Sequence, residues 1–109
     1  MAHDPELEAR IDLISLYWPG LAKKKMFGGV GYLMHGNMAF GIVKSGVVVR
    51  CGPDAYARCL SMPGVTEFDF TGRPMAGWVY VTPDAIAGEA ELMAWLEQGR
   101  DFAASLPEK

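Results

Sequence analysis

Residues 30–51 read VGYLMHGNMAFGIVKSGVVVRC. Val30, Tyr32 and Met34 alternate with Gly31, Leu33 and His35. After a turn at His35-Gly36-Asn37, Met38, Phe40 and Ile42 alternate with Ala39, Gly41 and Val43. A period of two belongs to a strand, whose side chains leave opposite faces in turn. Lys44-Ser45-Gly46 is another tight turn, and Val47-Val48-Val49-Arg50-Cys51 is a third, β-branched strand. Connections this short join antiparallel neighbours, because a parallel crossover takes a dozen or more residues. The stretch predicts a meander with strands at 30–35, 37–43 and 47–51.

Upstream the period is helical. Asp4-Pro5 supplies an N-cap followed by proline in the first turn, with Glu6 and Glu8 near the positive end. Leu7, Ile11, Ile14 and Trp18 recur on one face until Pro19-Gly20 stops the helix. Lys23-Lys24-Lys25 and a hinge at Gly28-Gly29 then lead into the meander. Downstream, Gly52-Pro53-Asp54 opens a short helix through about Leu60. Phe68 and Phe70 alternate with Glu67 and Asp69, which predicts a fourth strand at 67–70. A turn-rich loop, Thr71–Gly77, precedes a fifth strand at 78–82. Thr82-Pro83-Asp84 caps a final helical region that breaks at Gly88 and carries Leu92, Trp95, Leu96, Gly99, Phe102, Ala103 and Leu106 along one stripe. The order α-βββ-α-ββ-α predicts an α+β fold: an antiparallel five-stranded sheet with N- and C-terminal helices packed mainly on one face. The strand glycines are read as sites of strong twist or close helix approach.

A chain of 109 residues, 50% hydrophobic and 21% charged, is one domain spanning 1–109, with a core and no repeat or linker. Its acidic, polar start carries no targeting signal. The longest uncharged run, 26–43, holds five glycines, His35 and Asn37, too polar for a membrane span. Two cysteines without CxxC spacing make neither a disulfide scaffold nor a zinc motif. The reading is a cytoplasmic protein with both thiols reduced. Residues 1–54 carry six basic against five acidic side chains, and residues 55–109 four against eight. The acidic second half, with Asp84, Glu89, Glu91, Glu97 and Asp101, opposes a phosphate backbone.

No catalytic pattern survives its structural requirements. Phe27-Gly28-Gly29-Val30-Gly31 fails the dinucleotide fingerprint, since Met34 stands where its last glycine is required. Lysines that precede the glycines, with no helix following, fail the phosphate loop. His3, His35, Cys51 and Cys59 are spread over four elements without ligand spacing, so no metal is expected and chelators should leave stability unchanged. The serines lie outside a nucleophile elbow, and Cys51 and Cys59 read as inert thiols. Glu67 and Asp69 read as a solvated strand face. One cluster has chemical content. If Lys25, Arg50 and Arg73 converge, they form a corner for a carboxylate or phosphate; otherwise the arginines brace loops or pair with acids.

Two segments resemble a known family. Lys24-Lys25-Met26-Phe27-Gly28-Gly29 before a hairpin is similar to the opening motif of the TfoX/Sxy N-terminal domain family. Phe70-Thr71-Gly72-Arg73-Pro74-Met75, followed by Trp78-Val79-Tyr80-Val81-Thr82-Pro83, resembles its later signature. The Gly36-Asn37-Met38 turn and the Val49-Arg50 strand end fit the same order, so the resemblance runs from about residue 5 to 107. It implies a compact α+β domain and a link to regulators of DNA-uptake competence, which act with the cyclic-AMP receptor protein and resemble this chain only in their first half. It implies no catalytic residues.

The expectation is a non-enzymatic protein-interaction or regulatory module without a cofactor, with an unidentified protein partner. Nucleic-acid association through Lys23, Lys24, Lys25, Arg50 and Arg73 is the alternative and is not favoured; it needs those residues on one face clear of the acidic helix. A binder or enzyme for a small anion at Lys25, Arg50 and Arg73 is a further alternative. A homodimer stays open. Arg73→Ala is expected to cost within about 0.5 kcal/mol, as surface changes do, while weakening partner capture.

Overall fold

The computed structural model describes residues 4–26, 29–69 and 75–108. Helix α1 (Pro5–Ile14) begins as its sequence dictates: Asp4 caps it, accepting from the Glu6 and Leu7 N–H groups at 2.9 and 3.4 Å. It ends four residues before Trp18, where the Ser15 hydroxyl donates to the Ile11 carbonyl at 2.8 Å. Trp18 still reaches the core from the following turn and meets Phe40 edge-on, with ring centroids 6.3 Å apart.

Among the described residues the sheet has six strands rather than five: β1 (Leu21–Met26), β2 (Gly29–Met34), β3 (Asn37–Val43), β4 (Gly46–Arg50), β5 (Val65–Glu67) and β6 (Trp78–Val81). Their order is β1-β2-β3-β4-β6-β5, every neighbouring pair antiparallel. The strand missing from the sequence reading is β1, LAKKKM. Three consecutive lysines show no alternation, and an edge strand whose side chains reach solvent on both faces does not need it. The fourth predicted strand moves as well. β5 spans only Val65–Glu67, so Phe68 lies beyond the ladder, buried in the following segment; Phe70 and Gly28 of the hinge are outside the described residues. Between β4 and β5 sits α2 (Tyr56–Leu60). The predicted break at Gly88 is present: a 3-10 turn, Pro83–Ile86, precedes α3 (Glu89–Ala104), with Gly88 at the N-cap.

Register sorts the side chains. One cross-strand row joins Val30, Ile42, Val47, Val81 and Val65, and a second joins Tyr32, Phe40, Val49 and Val79. Both rows are buried, and with Leu7 and Ile11 of α1 and Leu92, Trp95 and Leu96 of α3 they form the core. Tyr32 stacks on Phe40 at 5.0 Å. Both helices therefore cover the same sheet face. The hairpin between β2 and β3 turns through His35 (φ 52°) and Gly36 (φ 84°), the two-residue geometry whose twist matches antiparallel strands. Close helix approach comes from the helix side: a Cβ at Gly99 of α3 would run into the Ala39 backbone carbonyl of β3. The strand glycines Gly29 and Gly41 instead face backbone carbonyls of neighbouring strands.

Candidate functional site

The three residues proposed from sequence do not assemble among the described residues. Lys25 lies on β1 opposite Val30, in the row that leads to Val47 of β4. Arg50 is three positions further along β4, so alternation sends the two side chains to opposite faces. Two strands separate β1 from β4, a span of roughly 14 Å at normal strand spacing. Arg73 lies outside the described residues.

Arg50 does structural work where it stands. Its guanidinium lies 5.1 Å from the ring of Trp78, its partner on β6, and 5.5 Å from Phe102 of α3. Such contacts tie a strand end to a helix through the arginine plane. Beside it, the Gly77 carbonyl accepts from the Cys51 and Gly52 N–H groups at 2.9 and 3.0 Å, pinning the end of the long loop to the end of β4.

The cysteines are buried, as their sequence context suggests. Cys51 is 3% and Cys59 1% exposed. Burial, with Cys59 alongside, pushes the Cys51 thiol up to about 12, and its Sγ points at the carbonyls of Gly52 and Gly77. An exposed cysteine titrates well below that, so the folded Cys51 holds far less thiolate near neutrality. The folded protein is therefore expected to resist iodoacetamide at pH 7.5 and to react at both thiols once unfolded in urea. Rapid labelling of Cys51 in the folded state would contradict this placement. The same shift carries a sign for stability. Because the folded thiol keeps its proton to higher pH, its contribution is whole below about pH 9 and is lost as the pH rises toward 12.

A polar cluster joins α1 to the sheet, and sequence reading missed it. Lys23 of β1 donates to Glu8 at 2.7 Å and to Asp12 at 2.8 Å, while the Tyr32 hydroxyl donates to the other Asp12 oxygen at 2.8 Å. Burial, then the Asp12 hydrogen bond, raises the Tyr32 pKa; the hydrogen bonds to Asp12 and Glu8 raise that of Lys23. Both groups stay protonated at neutral pH and act as donors that anchor the helix to the sheet. Among the described residues no group of three His, Cys, Asp or Glu side chains is placed to hold a metal ion, and no helix is long and apolar enough to cross a membrane.

The surface is unusual at the end of α1. Leu13, Leu16 and Tyr17 are 74%, 61% and 89% exposed within a single five-residue stretch. Sequence reading passed over them because they fall off the Leu7-Ile11-Ile14-Trp18 stripe. Large apolar residues clustered at the end of a helix that already has a complete buried face are the signal that could have found them. The neighbouring edge strand β1 carries Lys24 and Lys25, both exposed and without an ion pair among the described residues.

These features define a class: an α+β domain whose six-stranded antiparallel sheet is covered by helices on one face and ends in an open, basic strand. The chain belongs to the TfoX N-terminal domain family, whose model matches residues 13–103. No curated protein and no solved structure matches it.

Proposed function

We propose that this domain is a non-enzymatic protein-interaction module of a regulatory kind. The observation that carries the reading is the exposure of Leu13, Leu16 and Tyr17 within one five-residue stretch. Single exposed apolar side chains are ordinary on any surface, whereas adjacent ones mark contact sites. Nucleic-acid binding is less well supported. Lys23 is neutralised by Glu8 and Asp12, Lys24 and Lys25 leave opposite faces, and Arg50 lies against Phe102 of the acidic helix α3. These cations make no single stripe of the sort a phosphate backbone follows.

The test compares the wild-type chain with Leu13→Ser/Leu16→Ser/Tyr17→Ser as baits in nuclease-treated host lysate, followed by reconstitution with the purified captured protein. The expected result is a near-stoichiometric partner whose binding falls at least about tenfold in the triple variant, as for loss of an apolar hot spot. Arg73→Ala serves as a second bait for the long loop. Equal capture by the wild type and the triple variant, or capture abolished by nuclease, would contradict the proposal.

A further inference from the structure

We infer that the outer edge of β1 is the docking edge for an extended acidic segment of a partner protein, which adds to the sheet as a seventh strand. The inference rests on the interaction role proposed above and gives it a surface and a partner chemistry.

The hydrogen-bond pattern identifies which groups face outward. The His35 N–H donates to the Gly20 carbonyl at 3.1 Å, and the pairing continues Leu21↔Met34, Ala22↔Leu33, Lys23↔Tyr32, Lys24↔Gly31 and Lys25↔Val30. An antiparallel ladder alternates bonded and non-bonded pairs. Gly20, Ala22 and Lys24 therefore turn their N–H and C=O groups toward β2, and Leu21, Lys23 and Lys25 turn theirs outward. Among the described residues β1 pairs with β2 alone. Three outward donor-acceptor pairs on a regular six-residue strand without proline are what strand addition uses. The opposite edge, β5, offers only the three residues Val65–Glu67.

Charge selects the occupant. Lysines on an edge deter indiscriminate pairing, and they do so by favouring one kind of strand over others. Lys23 is engaged by Glu8 and Asp12, whereas Lys24 and Lys25 are exposed and leave opposite faces of the strand. An incoming strand thus meets a cation on each of its faces, and carboxylates on both sides complement it. A second copy of this chain fits badly: β1 against β1 sets three lysines against three. The acidic residues Glu89, Glu91 and Asp101 are held in α3 and supply no extended segment.

The probe is a labelled eight-residue peptide of alternating glutamate pairs and threonine pairs, which places carboxylates on both faces of an extended strand, compared with the same peptide carrying lysine for glutamate. Binding is read by fluorescence anisotropy and by backbone amide exchange. The glutamate peptide is expected to bind at least about tenfold tighter than the lysine peptide and to slow exchange at Leu21, Lys23 and Lys25. Lys25→Pro removes an outward N–H without removing a ladder bond, and is expected to weaken binding at least about tenfold. Should that variant fail to fold, Lys24→Ala/Lys25→Ala tests the charge with the backbone intact, and the same loss is expected. Equal binding of the two peptides, protection away from β1, or no binding of the glutamate peptide would overturn the inference. If one of these occurs while the lysate partner still requires Leu13, Leu16 and Tyr17, the β1 edge is wrong and the interaction role stands.

Discussion

Phe40→Ala should lower the free energy of unfolding by about 3–5 kcal/mol, the usual cost of removing a buried phenyl ring. Phe40 is 0% exposed and stands at the centre of the second core row, between Tyr32 of β2 and Val49 of β4. The Tyr32 ring stacks on it and the Trp18 ring meets it edge-on, so truncation removes two aromatic contacts as well as buried area. The backbone around it is fixed by ladder bonds on both sides, which limits how far the cavity can collapse. A domain of this size holds roughly 5–15 kcal/mol in all, so the variant should be near the limit of folding at 37 °C. Urea unfolding followed by tryptophan fluorescence measures the loss. A cost below about 1 kcal/mol, the size of an ordinary surface change, would mean that Phe40 does not occupy the centre of the core.

Gly99 yields the second large effect, and here the sign is the informative part. On an exposed helix surface, glycine to alanine stabilises by about 1 kcal/mol through backbone entropy and helix propensity. At position 99 the added Cβ meets the Ala39 backbone carbonyl, which cannot swing aside as a flexible side chain would. Gly99→Ala is therefore expected to destabilise, and Gly99→Val to destabilise further, by about 3 kcal/mol, at the upper end of overpacking costs. Thermal unfolding of the two variants beside wild type decides it. Stabilisation by alanine would show that α3 stands further from the sheet.

What the sequence made legible follows from how each element is buried. The β2–β3–β4 meander has one face in the core, so its apolar residues alternate and its turns carry glycine; it is found where periodicity puts it. The helix start at Asp4-Pro5 and the break at Gly88 were equally readable, because a cap and a glycine are local signals. β1 was not. Its partner is supplied by β2 through backbone hydrogen bonds, and no side-chain pattern reports such pairing on a solvated edge. β5 is three residues long, too short for a period, and Phe68 is buried beyond its end. The site suffered from the same limit. Lys25 and Arg50 look adjacent in purpose but lie on strands whose separation depends on sheet order, which the chain order of residue types does not encode. Leu13, Leu16 and Tyr17 were visible as letters. Their significance required knowing that the opposite face of α1 was already sufficient for the core.

The open edge of β1 underlies both the six-stranded sheet and the partner chemistry inferred from it. Native-state amide exchange of the free protein, resolved residue by residue, tests it most directly. The account predicts alternation: Ala22 and Lys24, bonded to β2, exchange slowly, whereas Leu21, Lys23 and Lys25, facing outward, exchange close to the rate of an unstructured chain. Uniform protection of residues 21–25, or uniformly rapid exchange through both sets, would contradict it.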